Sequence, residues 1–323
     1  MRRGELLDKL MQSFRSALPA TWKSASWLLK LMIPISLTVT LLQHWGVLAW
    51  MAGYLNPLFS VLGLPGESAI LFISGAAAGT YAGVAAMMSV HLTLRQATIV
   101  GIMILLCHAL PMECTVNHKT GSSFWRMGLI RIVVAFVAAM CLNLLLPEMS
   151  QPYLYVGAAA ESSLTEVLLT WAVSQIKIAI MVFLIIYSLM VVQRLIEAYS
   201  LLGPLSRFLA PLMRIFGLPC NAAYMWLVGN VLGLSYGSAV MLEMEENGQI
   251  TREEANAVNY HLIMNHSMLE DTIVLAMTGV SVLWILGTRI FFALVVVWGR
   301  KLIRVKNEER RRGRERYART KWQ

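Results

Sequence analysis

One long unit occurs twice in this chain, and both copies carry polar residues inside apolar stretches. Residues 54–91 align without a gap on residues 208–245, and after a four-residue insertion residues 92–131 continue against residues 250–289. Identical positions include Gly75/Gly229, Gly79/Gly233, Gly83/Gly237, His108/His266 and Arg131/Arg289. A membrane chain built from two such halves is typical of transporters, which hold their substrate where the halves meet.

The composition is that of a membrane protein. Hydrophobic residues make up 57% of the chain, charged residues 14%, and the mean hydropathy is +0.62. A water-soluble domain carries about 25% charged residues. Seven stretches suit a hydrocarbon core about 30 Å thick, and an eighth, 255–277, has the same length but is interrupted by polar residues. The seven are 27–50, 69–90, 97–114, 127–147, 164–192, 222–241 and 280–297. We therefore expect an all-α polytopic membrane protein with about eight membrane-embedded segments.

The distribution of charge predicts how the chain is oriented. The net charge of +9 lies mostly at the two ends, which places both termini in the cytoplasm because basic loops stay inside. The basic tail is expected to be solvated or to lie against anionic lipid headgroups. The lipid bilayer is therefore the expected partner, and nucleic acid is not.

Counting crossings predicts that the second half is inverted. If all four apolar segments of the first half crossed the membrane, Lys119 and Arg126 would lie outside and the acidic stretch 148–166 inside. One re-entrant segment in each half corrects both positions and leaves three crossings, an odd number. The glycine-rich segments 69–90 and 222–241 are the first candidates, although small residues also serve close helix packing. The other candidate breakpoints are 110–115 and 268–273.

These arguments divide the chain into five parts. They are a cytoplasmic amphipathic N-terminus at 1–25, a first repeat at 26–147, an external linker at 148–174, a second repeat at 175–303 and a basic cytoplasmic tail at 304–323. The proline-containing segments 54–65 and 208–219 are expected to be interfacial helices on opposite sides of the bilayer.

A histidine stands five residues before an acid in both copies, as His108 before Glu113 and as His266 before Asp271. Ionisable groups at membrane depth are costly and usually functional. Imidazole and carboxylate together can bind a divalent metal, carry a proton or hydrogen-bond a polar solute. The alternative is a structural hydrogen-bond network between the halves, and the spacing does not distinguish these roles.

The second copy holds more polar residues than the first. On one continuous helix His261, Asn265 and Met268 would share a face, while His266 and Glu270 would form an i, i+4 pair on another. Such a helix is expected to line a cavity.

Two arginines occupy matching positions near the start of the last span of each half. Arg131 and Arg289 are expected either to reach the interface or to pair with Glu113 and Asp271.

The predicted site combines these residues. It consists of His108, Glu113, His261, Asn265, His266, Glu270 and Asp271, with Gly79, Gly83, Gly233 and Gly237 shaping the backbone around them. If the solute is a metal, His266 with Glu270 and a sulfur from Met268 or Cys107 is the expected ligand set. No enzyme motif is present, so neither enzymatic activity nor a cofactor is predicted, and the four cysteines are interpreted as buried thiols.

Several motifs resemble the nucleoside-recognition, or Gate, domain. They are Gly63-Leu64-Pro65, the glycine-rich stretches 75–83 and 229–237, and the string HALPMECTVNHKTG at 108–121. The domain occurs in concentrative nucleoside transporters, in the membrane part of the ferrous-iron transporter FeoB and in spore maturation proteins A and B. The resemblance implies a bacterial inner-membrane protein with two inverted Gate domains, at roughly 26–146 and 175–303. This chain has no GTPase domain and no acid-rich hairpin motif for a nucleoside, so the solute is not implied.

The sequence thus predicts passage of a small polar solute or ion, nucleoside-like or a metal ion, through a midplane site between the repeats. The alternative is a non-transporting scaffold or partner subunit with a structural polar interior. A homo-oligomer is compatible with either.

Overall fold

A computed structural model describes residues 3–154 and 163–320, and within these ranges the chain is helical apart from short connections. The first half contains α1 (Arg3–His44), α2 (Val47–Ser60), α3 (Ser68–Ala78), α4 (Thr80–Met87), α5 (Leu94–Cys107), α6 (Leu110–Lys119) and α7 (Phe124–Leu145). The second half contains α8 (Leu164–Ala198), α9 (Leu202–Ile215), a 3₁₀ turn (Cys220–Ala222), α10 (Ala223–Val231), α11 (Leu234–Glu246), α12 (Arg252–Asn265), α13 (Met268–Ala276) and α14 (Val282–Thr320).

The two halves repeat each other in backbone detail, in agreement with the sequence duplication. Residues with positive φ fall at equivalent positions: Gly63 and Gly217, Gly79 and Gly233, Ala109 and Ser267, Gly121 and Gly279. Both α5 and α12 begin with a capping box, in which a threonine side chain accepts from the backbone N–H three residues on while a Gln or Glu bonds back.

The described residues include five helical segments that are long and apolar enough to cross a membrane: Asp8–His44, Leu94–Lys119, Phe124–Leu145, Leu164–Ala198 and Val282–Lys306. The prediction of an all-α polytopic membrane protein is confirmed. The pair α12–α13 occupies the place in the second half that α5–α6 occupies in the first, and its polar residues lower its hydropathy.

Three of the four predicted boundaries between the five parts of the chain fall inside helices. Helix α1 runs without interruption across position 25, α8 begins inside the predicted linker, and α14 continues into the predicted tail. Residues 155–162 of the linker lie outside the described ranges. The division of the chain therefore stays a prediction.

The glycine-rich segments are helical hairpins. A Cβ built on Gly83 would lie 3.1 Å from the Cα of Gly75, and one built on Gly237 would lie 2.9 Å from the Cα of Gly229. On one straight helix, residues eight apart are separated by about 12 Å. The chain therefore turns back at the glycine between them, where φ is 105° in the first half and 91° in the second.

A helix break also lies at the other candidate segments, 110–115 and 268–273, but the chain does not turn back there. Helix α5 ends at Cys107 and α6 begins at Leu110, and α7 lies along both, since Arg131 contacts the carbonyl of Leu106 and the carboxylate of Glu113. Helices α12 and α13 repeat this arrangement around Arg289. By length and composition the first half has three candidate spans and the second half two, with α12–α13 in the place of the interrupted span α5–α6.

Equivalent helices of the two halves run antiparallel, as inverted repeats require. Lys9 near the start of α1 donates to the carbonyl of Ala198 at the end of α8, with 3.3 Å between nitrogen and oxygen. Further along α1, the hydroxyl of Ser36 accepts from Trp171 and Gln175 near the start of α8. The second half is therefore inverted relative to the first, and the membrane side of the termini stays a prediction.

Gly237→Ala tests the hairpin packing. The added methyl group would meet backbone atoms of Gly229, which cannot move aside cheaply, so we expect a loss of about 1–3 kcal/mol. Gly287→Ala is the control, because nothing lies within 4 Å of its Cβ position. Thermal melting of the purified variants in detergent measures both, and equal melting temperatures would contradict the hairpin packing.

Cysteine labelling tests the inverted topology. With the native cysteines replaced, Ser150→Cys in the linker should react with a membrane-impermeant maleimide in intact cells. Gln12→Cys near the N-terminus should react only after permeabilisation. Both positions are exposed. Labelling of both from the same side would show that the first half makes an even number of crossings.

Candidate functional site

The two repeated histidines meet at the junction of the halves. The Nε2 atoms of His108 and His266 are 3.2 Å apart, and their ring centroids are 4.9 Å apart. Both side chains are buried, with 6% and 2% of each residue exposed. The duplication therefore brings the same residue from each half to one point.

The helix breaks place these histidines. Each follows the last residue of α5 or α12 in extended backbone and precedes a non-glycine residue in the left-handed region, Ala109 or Ser267. The N–H of that residue donates to the first arm of the hairpin in the same half, Ala109 to Gly75 at 3.0 Å and Ser267 to Gly229 at 3.3 Å. Left-handed backbone at non-glycine residues is strained and tends to occur at functional sites.

The backbone also determines which ring nitrogen carries hydrogen. Nδ1 of His108 lies 2.9 Å from the carbonyl oxygen of Leu105, and Nδ1 of His266 lies 2.7 Å from that of Leu262. A carbonyl oxygen only accepts, so each Nδ1 donates. In a neutral imidazole the other nitrogen then bears a lone pair, and the two lone-pair nitrogens face each other.

A carboxylate oxygen completes a group of three acceptors. Oε1 of Glu113 lies 3.0 Å from Nε2 of His108 and 2.9 Å from Nε2 of His266. Oδ2 of Asp271 is farther from Nε2 of His108, at 3.7 Å. With both imidazoles neutral, three electron pairs converge where a cation, either a proton or a metal ion, would be bound.

Two fully buried arginines hold the carboxylates. Nη1 of Arg131 is 2.5 Å from Oε2 of Glu113, and Nη2 of Arg289 is 3.2 Å from Oδ2 of Asp271. Each arginine also donates through Nε to the end of the broken helix beside it, to the carbonyl of Leu106 or of Met264. Of the two expectations for these arginines, pairing with the acids is therefore confirmed.

The hairpin of the first half contributes contacts that sequence reasoning missed. Thr80 donates to Oδ1 of Asp271 at 2.9 Å, and the hydroxyl of Tyr81 donates to Oε1 of Glu270 at 3.0 Å. The sequence feature that could have identified Thr80 and Tyr81 is their position as a polar pair directly after Gly79, the glycine at the hairpin tip. This part of the molecule thus contains three carboxyl groups (Glu113, Glu270 and Asp271) and two guanidiniums.

Two predicted site residues lie in other surroundings. His261 is fully buried, accepts from the indole N–H of Trp226 at 3.0 Å and stacks on Phe216 at 4.5 Å between ring centroids. Asn265 is fully buried as the last residue of α12. Neither contributes to the three-acceptor group.

The helical spacing proposed for the second copy is wrong. Helix α12 ends at Asn265 and α13 begins at Met268, so His266 and Glu270 are not an i, i+4 pair, and His261 and Met268 do not share the face of one helix. The expected metal ligands, His266 together with Glu270, are also wrong. Glu270 accepts a hydrogen bond from Tyr81, whereas Glu113 and His108 lie beside His266.

The four predicted glycines fall into two groups. Gly79 and Gly233 form the hairpin tips, where an added Cβ would lie 4.0 Å from Ala109 and 3.9 Å from Ser267. Gly83 and Gly237 pack between the arms of each hairpin, against Gly75 and Gly229.

Together the fold and this cluster define a polytopic α-helical membrane protein of two inverted repeats with an ionisable site between them. Residues 25–116 match the family model described as "Gate: Nucleoside recognition", in agreement with the resemblance stated for the first half. The uncharacterized membrane protein YvoD of Bacillus subtilis (strain 168) is similar to this chain, with 28% identity over 291 residues that cover 88% of this chain and 92% of that protein. No solved structure matches.

Asp271→Asn tests whether the buried ion pairs hold the site together. The substitution leaves the guanidinium of Arg289 buried without its counter-charge, and we expect a loss of about 3–5 kcal/mol. Adding Arg289→Met should restore part of the stability. Glu197→Gln, in the exposed pair with Arg194, is the control and should cost less than about 1 kcal/mol. Thermal melting that shows equal effects of Asp271→Asn and Glu197→Gln would contradict the role of this pair.

Proposed function

We propose that the protein moves a small cation across the bacterial inner membrane through the site between its repeats, and that a divalent transition-metal ion is the class of cation. The observation that carries this proposal is the convergence of three acceptor atoms, Nε2 of His108, Nε2 of His266 and Oε1 of Glu113. The match to the Gate family supports the coarser part of the proposal, a role related to membrane transport.

The separations of these atoms suit one metal ion. Ligands in neighbouring positions of an octahedral site with bonds of about 2.1 Å are about 3.0 Å apart, whereas tetrahedral ligands are about 3.4 Å apart. The three separations here are 2.9, 3.0 and 3.2 Å. Two imidazoles and one carboxylate on one face of an octahedron are typical of Fe²⁺ sites, and imidazole also suits the neighbouring divalent metals.

A nucleoside-like solute fits this site less well. The polar atoms at the junction already contact one another within hydrogen-bond distance, so a ring-sized solute has no room between them in this conformation. A single ion needs no separation of the two histidines. The nucleoside name of the Gate family thus describes relatives and is not carried over to this chain.

The scaffold alternative remains the competing function, and one observation weighs against it. A purely structural network would satisfy its own polar groups, yet Nη2 of Arg131 and Nη1 of Arg289 are buried without a partner among the described residues. A scaffold could place a proton among the three acceptors, so the experiment must distinguish a proton from a metal ion.

The hairpins suggest how a cation would reach the site. Because the halves are inverted, the hairpin α3–α4 enters from one side of the membrane and α10–α11 from the other, and the tip of each contacts the helix break beside its own histidine. Movement of one hairpin at a time would expose the cluster to one side at a time, as in alternating access. The 2–7% exposure of the histidines and Glu113 corresponds to a closed conformation.

Histidine variants in proteoliposomes test the proposal. His108→Gln and His266→Gln each remove one ligand, so Mn²⁺ binding by the purified protein should weaken by at least about tenfold, and Mn²⁺ uptake should fall with it. Binding should also weaken as the pH is lowered, because protons compete for both Nε2 atoms. His118→Gln is the control, since His118 bonds to the carbonyl of Ser122 outside the cluster.

Two outcomes would contradict metal transport. If wild-type protein binds none of Mn²⁺, Fe²⁺, Co²⁺ or Zn²⁺ while the histidine variants unfold, the cluster is a structural network. If both histidine variants bind and transport Mn²⁺ as the His118 variant does, the metal site lies elsewhere.

A further inference from the structure

A second feature, a groove between the last spans of the two halves, is lined by no residue of the histidine cluster. It has a volume of about 930 Å³ and is formed by α7 and α14, with Tyr260 of α12 at its base. Its walls are aliphatic side chains that include Leu129, Val133 and Val295, which are 63%, 51% and 49% exposed. The groove therefore opens toward the lipid.

One end of this groove is strongly basic. Arg126, Arg300 and Arg304 line it together. Arg304 pairs with Glu253. Arg126 and Arg300 both line the groove beside Tyr260, whose ring lies 4.4 Å from the guanidinium carbon of Arg300. Among the described residues no carboxylate forms an ion pair with Arg126 or Arg300, so their guanidiniums give this end of the groove an excess of positive charge.

The length of the groove matches one leaflet of a bilayer. From Arg126 to Val134 along α7, and from Arg304 to Val295 along α14, the helices rise about 12–14 Å. Half of a hydrocarbon core is about 15 Å. The basic end also belongs to the side of the chain that the charge distribution assigns to the cytoplasm, where anionic lipids attract lysine and arginine.

We propose that this groove binds an anionic phospholipid, with the phosphate at Arg126 and Arg300 and an acyl chain along the aliphatic walls of α7 and α14. The antiparallel pairing of the last spans creates the site, because it brings the N-terminal arginine of one span beside the C-terminal arginines of the other. A bound lipid would thus join the two repeats at their outer surface.

Lipid binding by charge variants tests the headgroup contact. Native mass spectrometry of the purified protein with phosphatidylglycerol should show a retained lipid, and phosphatidylcholine should be retained much less. Arg126→Gln and Arg300→Gln should each weaken phosphatidylglycerol retention by about fivefold. Lys301→Gln removes the same charge from the neighbouring, exposed position outside the groove and should leave retention unchanged.

A second pair of variants tests the acyl-chain contact without changing charge. Val133→Trp fills the groove and should reduce phosphatidylglycerol retention, whereas Val137→Trp, one turn further along α7 and outside the lining, should not. Equal retention of the two lipids, or equal behaviour of the Arg300 and Lys301 variants, would overturn the proposal. So would crosslinking through Val133→Cys that shows a second copy of the chain in the groove.

Discussion

Two arginines buried in the membrane interior determine much of this structure. Arg131 and Arg289 are fully buried, and a guanidinium there is tolerated only with a counter-charge and hydrogen-bond acceptors. A continuous helix offers no free carbonyls in its middle. The breaks after Cys107 and Asn265 free the carbonyls of Leu106 and Met264, and the next helix supplies Glu113 or Asp271. Broken helix, buried arginine and membrane carboxylate therefore form one unit, and the chain contains it twice.

The meeting of the two units creates what neither has alone. Each break directs one histidine toward the axis between the halves, with Nδ1 bonded to its own helix and Nε2 free to face the other histidine. Glu113 adds an oxygen while Arg131 holds its second oxygen. The site is also asymmetric, because Glu113 contacts both histidines, whereas Asp271 contacts Thr80 and lies farther from His108. An inverted duplication can thus make an acceptor cluster that a single half would leave incomplete.

Much of the architecture could be predicted from the sequence, because it depends on patterns that survive in one dimension. The duplication and the signs of the loops were sufficient for inverted halves, and the glycine-rich segments were the first of two candidates for the part that turns back. The pairing of Arg131 with Glu113 was one of two alternatives, and the structure selects it because a buried charge needs a partner.

The details of the site could not be predicted, since they depend on where helices stop. Treating residues 265–268 as part of one continuous helix predicted the wrong helix faces for His261 and Glu270. A serine at position 267 gives no indication in the sequence that its backbone is left-handed. Thr80 and Tyr81 were missed because their partners lie 191 and 189 residues away, in the other half. Contacts across a pseudo-twofold axis can be identified only from the packed structure.

X-ray absorption spectroscopy of the purified protein loaded with one Mn²⁺ tests the cation site most directly, because it reports the ligands of the bound ion. The account predicts two imidazole nitrogens and carboxylate or water oxygens at about 2.1–2.2 Å, and loss of one imidazole from the spectrum of His108→Gln. A spectrum with oxygen ligands alone, or one that His108→Gln and His266→Gln leave unchanged, would contradict a metal site between the repeats.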